Sequence, residues 1–308
     1  MKNTILLLIL CISQLASAQF LKDKENLKTQ NGFFTFHYDE KEDKLYLEVD
    51  KLNSEFIYVH SLKSGLGSND IGLDRGQLGG TAIVKFQKFG NKLLLIELNQ
   101  DYRALTDNTA ERKSIEQAFG RSVLFGFDIK ETDNDTYLID FTPFLMEDAH
   151  GVTQRLKAQK EGTYKYDKDR SALFMENTKS FPKNTEFESL LTFKGDPTGR
   201  NIRSVVPDAQ YVTVIEHHSF VQLPDDGYKP RPFDPRSGAI SISYMDYATP
   251  VQEPITKRLI IRHRLEKKNP QAAVSEPVEP IIYYLDPGTP EPVRSALLIG
   301  TSWWDQAF

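Results

Sequence analysis

The sequence predicts a mainly β fold with some helix, of the α+β class, whose N-terminal region is an antiparallel β-meander or a sandwich-like arrangement. Three observations predict it. Apolar and polar residues alternate over short runs, charged or glycine-containing turns separate those runs, and helical spacing is confined to a few segments. A chain of 308 residues can bury a sizeable core. It must rely on that core, because its one cysteine, Cys11, lies in the N-terminal leader.

Strand-like runs follow one another through most of the chain. Residues 34–38 and 45–49 alternate in polarity around a charged turn. Residues 82–89 and 93–98 flank Gly90-Asn91 as the two arms of a hairpin would. The remaining runs with strand character are 56–59, 123–129, 137–141, 187–193, 211–215, 239–247 and 258–264.

Helical and irregular segments interrupt these runs. Residues 109–119 have helical spacing behind Thr109, a possible N-cap, and residues 143–149 and 153–159 predict short helices. Residues 65–80 are rich in glycine and polar residues, which predicts a long loop. The start of this loop resembles a phosphate-binding turn, but the third glycine is missing, so a surface loop is favoured over a dinucleotide site.

The N-terminal leader is typical of a cleaved signal peptide. Lys2 precedes an apolar run, and Ala16-Ser17-Ala18 forms a cleavage site, so we expect a secreted or periplasmic protein cleaved after Ala18, with no membrane span after cleavage. The predicted parts of the chain are a signal peptide at 1–18, a flexible lead-in at 19–31, a β-rich accessory region of one or two subdomains at 32–266, a linker at 267–280, and the start of a further domain at 281–308.

The last of these parts ends on an apolar helical stripe. Residues 281–285 have strand character, and Thr289 as N-cap before Pro290 predicts a helix over 290–308. No helix-ending residue follows the stripe, which consists of Val293, Ala296, Leu297, Gly300, Trp304, Ala307 and Phe308. Because such a stripe needs a partner surface, we expect 281–308 to be the first strand and helix of an incomplete domain.

The charged residues indicate a soluble surface. The formal net charge is −5, and no basic cluster is long enough to form a nucleic-acid footprint. The sequence therefore predicts no nucleic-acid partner.

Residues that commonly carry enzymatic chemistry form no recognisable motif in the sequence. H-E-x-x-H and G-x-S-x-G are absent, and His217 and His218, as neighbours on a strand, should face opposite ways. Asp133, Asp135 and Asp140 do not fit a calcium loop, because Phe144 stands where the closing glutamate belongs. The sequence predicts no catalytic, cofactor-binding or metal-binding residue, and the remaining histidines are interpreted as isolated: His37, His60, His150 and His263.

Four segments together resemble one protein family. They are GLGSNDIGLDRGQLGG at 65–80, EHHSFVQLPDDGYKPR at 216–231, IIRHRLEKKNPQAAVSEPVEP at 260–280, and the terminal segment 281–308. They are similar to secreted bacterial zinc-dependent metalloproteases that carry two N-terminal domains of unknown function before a metzincin-like catalytic domain. The resemblance covers nearly the whole mature chain and concerns the N-terminal portion of that family only.

The resemblance implies a function for the parent protein. The full-length parent is expected to bind zinc through an H-E-x-x-H-x-x-G-x-x-H helix, with the glutamate as general base, and to hydrolyse a protein or peptide substrate. This chain lacks that motif, so we expect no cofactor and no peptidase activity in it, and we expect its partner to be its own downstream catalytic domain. Residues 281–308 are similar to the first strand and helix of that domain.

A different class of function is also open. The chain can be interpreted as a non-catalytic secreted β-rich module that binds glycans or peptides. Exposed aromatic strips would favour this interpretation, and the candidate aromatic residues are Tyr211, Phe220, Tyr228, Phe233, Tyr244 and Tyr247.

Overall fold

Antiparallel strands dominate the part of the chain that the structure, a computed structural model, describes: residues 20–22 and 24–306. The predicted signal peptide lies outside those residues. The described residues form two compact units. The first comprises the residues up to Asp225 together with Tyr244–Ile255, and the second comprises Asp226–Ser243 and the residues from Thr256 onward.

Most of the runs with strand character form strands, many of which extend beyond the predicted residues, and five further strands of two to five residues lie outside those runs. They are β1 (Lys28–Gln30), β2 (Phe36–Asp39), β3 (Lys44–Val49), β4 (Phe56–Ser64), β5 (Leu78–Phe89), β6 (Lys92–Glu97), β7 (Tyr102–Arg103), β8 (Ser122–Asp133), β9 (Thr136–Asp140), β10 (Gly162–Tyr166), β11 (Ala172–Leu173), β12 (Lys179–Phe181), β13 (Asn184–Pro197), β14 (Tyr211–Gln222), β15 (Ser241–Asp246) and β16 (Thr256–Ile260).

The helices are short and few. They are α1 (Thr109–Ala118), α2 (Thr142–Leu145), α3 (Val152–Ala158), α4 (Arg200–Val205) and α5 (Val293–Ser302). The N-cap of α1 is Asn108, whose side chain accepts a hydrogen bond from the Ala110 amide at 3.0 Å. The prediction of Thr109 as the cap was therefore wrong by one residue, since asparagine caps at least as well as threonine.

One sheet of thirteen strands forms most of the first unit. Its order is β1-β2-β3-β9-β8-β6-β5-β4-β14-β13-β10, and β11 and β12 also pair with β13. The longest ladder joins β13 to β14, where Asn184 lies opposite Val221 and Lys194 opposite Tyr211. The predicted hairpin around Gly90-Asn91 is confirmed, with Phe89 opposite Lys92 in the β5–β6 pair.

The two ends of this sheet meet. The Phe33 amide donates a hydrogen bond to the Phe181 carbonyl at 2.7 Å, and the Phe34 amide donates one to Thr185 Oγ1 at 3.0 Å. Ser180 Oγ donates to the Phe34 carbonyl at 2.7 Å. The N-terminal strands are thereby tied to β12 and β13 without a continuous ladder between them.

Phenylalanine side chains fill the space that the sheet encloses. Phe34 and Phe56 pack edge to face at 5.2 Å between ring centroids, and Phe56 lies 5.0 Å from Phe220. All three are buried. Burial of each large apolar side chain stabilises the fold by about 1.5–3 kcal/mol relative to exposure, so this aromatic cluster stabilises the unit.

A second apolar cluster lies under the glycine-rich loop. The loop ends at Gln77, because β5 begins at Leu78, and no helix follows it. Leu66, Ile71 and Leu73 of the loop are buried against α3 and α4, and Arg155 Nε donates to the Ile71 carbonyl at 2.7 Å. The loop is therefore a structural cover, and it lacks the helix N-terminus that a dinucleotide site requires.

The segment predicted to be a flexible lead-in is part of the sheet where it is described. Its β1 pairs with β2, Lys28 opposite Tyr38. Lys24 Nζ forms ion pairs with Asp39 at 2.8 Å and with Glu42 at 2.9 Å. These contacts hold residues 24–30 against the edge of the sheet.

The second unit contains little buried surface. The buried residues of the described chain all lie in the first unit. In the second unit, Arg258 covers the Phe233 ring at 3.8 Å, and the Phe233 amide donates to the Arg258 carbonyl at 2.9 Å. Among the described residues, every helix is too short or too polar to cross a membrane.

The predicted linker 267–280 folds back on itself. The Lys268 amide donates to the Glu276 carbonyl at 2.8 Å, and Lys267 Nζ donates to the carbonyls of Ala272 and Ala273 at 3.0 Å. The predicted extended conformation would expose these carbonyls to solvent, and it is not observed. The lysine side chain stabilises the turn instead.

The terminal segment differs from the prediction in two ways. Residues 281–285 form no strand with any described residue, because no strand lies alongside to complete a ladder. The helix starts at Val293 after Pro292, not at Pro290, because the residue before a proline disfavours helical backbone and Glu291 precedes Pro292. The predicted stripe residues Ala307 and Phe308 lie outside the described residues.

Candidate functional site

Strands β4 and β14 bring a set of polar side chains to the inner face of the sheet. His60 lies opposite His218, and Tyr58 lies opposite Phe220. Tyr58 Oη and His218 Nδ1 are 2.9 Å apart, and the two rings stack with an interplanar angle of 4°. Burial, and then the neighbouring His60, lower the pKa of His218 to about 3, so this ring is neutral at ordinary pH. We call Tyr58, His60, His150, Glu216 and His218 the inner cluster.

Glu216 is a fully buried member of the inner cluster. Its carboxyl group accepts hydrogen bonds from the amides of Ala149 at 3.1 Å and His150 at 3.4 Å, just before α3. Burial, and then the nearby carboxylate of Asp148, raise the pKa of Glu216 to about 8. The group is therefore protonated at neutral pH, which avoids a buried negative charge beside an acidic neighbour.

His60 and His150 meet at the edge of the inner cluster. Their ring centroids are 5.4 Å apart, and the Gly80 amide donates to His60 Nε2 at 2.8 Å. Burial lowers the pKa of both rings. A side-chain carbon at Gly79 would lie 2.1 Å from His60 Cε1, so glycine is required there by the histidine and not by the backbone.

A small pocket opens beside these rings. Its volume is about 230 Å³, and we call it the inner pocket. Apolar walls enclose most of it, and two carboxyl groups stand among its lining residues, which are Tyr58, His60, Gly80, Thr81, Ala82, Glu97, Leu124, Phe144, Glu147 and Ala149. Apolar walls with a few convergent polar groups are the usual form of a small ligand site.

A second polar group, the outer cluster, lies on the opposite face of β13 and β14. His217 Nε2 contacts Glu186 at 2.8 Å, and His217 Nδ1 contacts Glu188 at 3.1 Å. Ser219 Oγ donates to Glu186, and Asn177 Nδ2 donates to Glu188 at 3.1 Å.

The outer cluster favours a charged histidine. Burial alone would lower the pKa of His217, but its contacts with Glu186 and Glu188 outweigh burial and leave the pKa raised. The same contacts, with those of Ser219 and Asn184, lower the pKa of Glu186 despite its burial. When His217 is protonated, both of its ring nitrogens can donate to these carboxylates, which then hold it as an ion-pair partner.

Neither cluster fits a metal site. Within residues 20–22 and 24–306, no group of three or more histidine, cysteine or acidic side chains is arranged to hold a metal ion. The buried Nδ1 atoms of His60 and His150 and the Nε2 atom of His218 have no hydrogen-bond partner among these residues, but they do not converge on one point with a ligand geometry.

The histidine predictions had mixed outcomes. His217 and His218 face opposite sides of the sheet, as predicted from their adjacency. The interpretation of His60 and His150 as isolated was wrong, because β4 and the turn before α3 bring them together. His37 also has partners, Thr29 at 2.7 Å and Glu48 at 2.8 Å. The pairing of β4 with β14 joins residues about 160 positions apart, so sequence spacing carries no signal for it.

The structure places several of the aspartates and aromatic residues singled out in the sequence. Asp133 belongs to the β8–β9 turn, and Asp140 accepts a hydrogen bond from the Thr142 amide at the start of α2. Phe220 is buried in the aromatic cluster, so it cannot belong to an exposed strip. Tyr228 and Tyr247 are exposed but belong to different units.

The fold and the two clusters define a β-rich protein built mainly on one antiparallel sheet of thirteen strands. The family described as Domain of unknown function (DUF5118) matches residues 17–65, and the family described as Domain of unknown function (DUF5117) matches residues 76–268. The second match covers more than half of the chain, and the chain belongs to the DUF5117 family. No curated protein and no solved structure matches the chain.

The two matched segments share one sheet. The boundary between them falls in the loop that joins β4 to β5, yet these strands pair with each other, Phe56 opposite Val84. Strand β4 also pairs with β14, and β3 pairs with β9. The first segment therefore cannot complete its hydrogen bonds without the second.

Proposed function

We propose that this chain is the non-catalytic N-terminal accessory region of a secreted zinc-dependent metallopeptidase. The observation that carries the proposal is the succession of two domains of unknown function, at 17–65 and at 76–268. The metalloprotease family that the sequence resembles carries two such domains before its catalytic domain. In the proposed parent, a metzincin-like domain beyond this chain would hold the zinc and cleave a protein or peptide.

The chemistry of the two polar clusters supports an accessory role for this part. In the outer cluster, both ring nitrogens of His217 are engaged by the carboxyl groups of Glu186 and Glu188. In the inner cluster, His218 lies 4.0 Å from Glu216 and is buried together with it. The contacts of both clusters join residues of the sheet to one another, so they fit a structural role better than the activation of a water molecule.

The terminal helix supports the position of this region before a further domain. The apolar side chains of α5 and of the residue that follows it are between 47% and 67% exposed, at Leu297, Leu298, Ile299 and Trp303. An exposed apolar patch of this kind commonly marks an interaction surface. A catalytic domain that follows α5 directly in the chain would be the nearest surface available to cover it.

The test is to read the gene beyond codon 308 and to express its full product. We expect an H-E-x-x-H motif downstream, one zinc per chain by metal analysis, and cleavage of casein that a chelator abolishes. Replacement of the motif glutamate by glutamine should abolish cleavage while zinc stays bound. A reading frame without the motif, or a full product that cleaves casein equally after chelation, would refute the proposal.

A further inference from the structure

Strand β5 has an open edge where β6 ends. The β5–β6 register begins with Val84 opposite Glu97, and one further bond joins the Leu98 amide to the Ile83 carbonyl at 2.9 Å. Asn99 then accepts hydrogen bonds from the amides of Asp101 at 3.0 Å and Tyr102 at 3.3 Å. This turn, which the Asn99 side chain stabilises, directs the chain away from the sheet. Residues 78–82 of β5 therefore extend past the last residue of β6.

The backbone of Thr81 faces this opening. Backbone groups of residues two apart on a strand point to the same side. The Ile83 carbonyl points toward Leu98, so the amide and carbonyl of Thr81 also point away from β4, where no described strand pairs with them. Thr81 and Gly80 are exposed. An edge of this kind is a template for an added strand.

The sequence of this edge lacks two of the usual protections against strand addition. Natural edges are blunted with charged residues or proline. Residues 78–83 read LGGTAI and contain neither. A cavity of about 380 Å³ lies alongside, between Thr81–Ile83 of β5 and the turn that begins at Asn99.

The inner pocket lies directly behind the same edge. Thr81, Ala82 and Glu97 line both the edge cavity and the inner pocket, so a side chain of an added strand could enter the pocket. Glu97 and Glu147 bring two carboxyl groups to the inner pocket, and among the described residues no lysine or arginine lines it. At the edge cavity, the Arg121 guanidinium is engaged with Gln87 at 3.3 Å.

We propose that the edge of β5 at residues 79–83 binds an extended peptide as an added strand, with a lysine side chain of that peptide in the inner pocket. The aliphatic part of the lysine would contact Leu124 and Phe144, and its ammonium group would pair with Glu97 and Glu147. Main-chain hydrogen bonds supply affinity in this mode of recognition, and the pocket supplies specificity. The proposal does not depend on the activity of the parent protein.

The first experiment uses a synthetic probe. A fluorescein-labelled heptapeptide, Thr-Val-Thr-Lys-Thr-Val-Thr, is titrated with residues 19–308 by fluorescence anisotropy to about 1 mM, the range of weak specific binding. We expect saturable binding that weakens about three- to tenfold when norleucine replaces the lysine. N-methylation of alternate peptide amides should weaken it further. Equal binding of the norleucine peptide, no loss on N-methylation, or no saturation would overturn the proposal.

The second experiment locates the site on the protein. Glu147→Gln and Glu97→Gln should each weaken binding of the lysine peptide about three- to tenfold. Neither variant should change binding of the norleucine peptide. Glu176→Gln, which removes the same charge from an exposed residue elsewhere on the unit, is the control and should change neither. Thr81→Pro removes only an edge donor and should abolish binding. Because that variant could misfold, hydrogen exchange of the unchanged chain provides an independent measurement: the Thr81 amide should slow on peptide binding.

The third experiment distinguishes the peptide from a second copy of the chain. Sedimentation of residues 19–308 alone and with the probe should show no edge-dependent dimer. If the unchanged chain forms a dimer that Thr81→Pro prevents, and if the probe peptide does not bind, then the occupant of the edge is a second copy of the chain and not a peptide. Protection of other amides in place of Thr81 would overturn the location.

Discussion

Glu216 has a buried carboxyl group that faces two backbone amides and the carboxylate of Asp148. The folded chain holds the proton of Glu216 up to about pH 8, whereas the unfolded chain releases it near the ordinary value of 4.5. Since the unfolded state binds fewer protons across that window, this group makes the protein less stable as pH rises from about 4.5 to about 8.

Glu216→Gln should remove this pH dependence. Glutamine has nearly the same shape, can accept the two amide hydrogen bonds, and does not titrate. We expect the variant to gain stability relative to the wild-type chain between pH 5 and pH 8, measured as the free energy of urea unfolding at each pH. Glu176→Gln serves as the control and should show a constant difference. A constant difference for Glu216→Gln as well would show that the buried group is ionised.

Gly79→Ala tests the contact between β5 and His60. The added carbon would lie 2.1 Å from His60 Cε1, so the ring or the strand must move, which costs about 1–3 kcal/mol of stability. Gly120→Ala, where nothing lies within 4 Å, is the matched control. The double variant Gly79→Ala/His60→Ala removes the ring as well. We expect it to lose less stability than the sum of the losses of the two single variants. Equal unfolding free energies of Gly79→Ala and Gly120→Ala would contradict the contact between β5 and His60.

The strands could be predicted from the sequence where one face is apolar and the other polar. The β5–β6 hairpin satisfies this condition, with Val84 and Phe86 buried on one face and Lys85 and Gln87 only half-buried on the other, and its turn contains Gly90-Asn91. Strand β14 was predicted only as far as residue 215. Beyond that point its inner face carries Glu216 and His218, which a polarity pattern assigns to solvent.

The candidate site could not be predicted for the same reason. Each member of the inner cluster is polar, and each is contributed by a strand or turn far away in the sequence. Only pairing of β4 with β14 places Tyr58 beside His218. The open edge of β5 could not be predicted for a different reason. It exists because the chain leaves the sheet at Asn99, and the composition of β5 does not indicate this.

Helix α5 provides a prediction for this element alone. Its apolar side chains remain largely exposed in the described chain, so the isolated protein should self-associate through them. We expect Leu298→Glu to reduce self-association measured by light scattering, because it places a charge within the patch. Thr301→Glu adds the same charge at an exposed polar position of the same helix and should have less effect. Equal effects would mean that net charge, and not the patch, governs association.

The distribution of buried residues predicts unequal stability of the two units. The buried residues of the described chain lie in the first unit, while contacts in the second are mostly hydrogen bonds and cation–π pairs near the surface. We expect amides of 226–243 and 256–306 to exchange with solvent at lower urea than those of β13 and β14, measured by mass spectrometry. A single cooperative loss of protection across both units would contradict this division.

The strand order also determines when the protein can fold during its own synthesis. Strand β4 needs β14 as a neighbour, and β14 ends at Gln222. At ordinary rates of translation, β14 leaves the ribosome about 10–30 s after β4. During that interval one side of β4 has no partner, and Phe56 and Tyr58 lack their contacts with Phe220. We therefore expect chaperones that hold the nascent chain unfolded to raise its yield, and rare codons placed before β14 to prolong its exposure to aggregation.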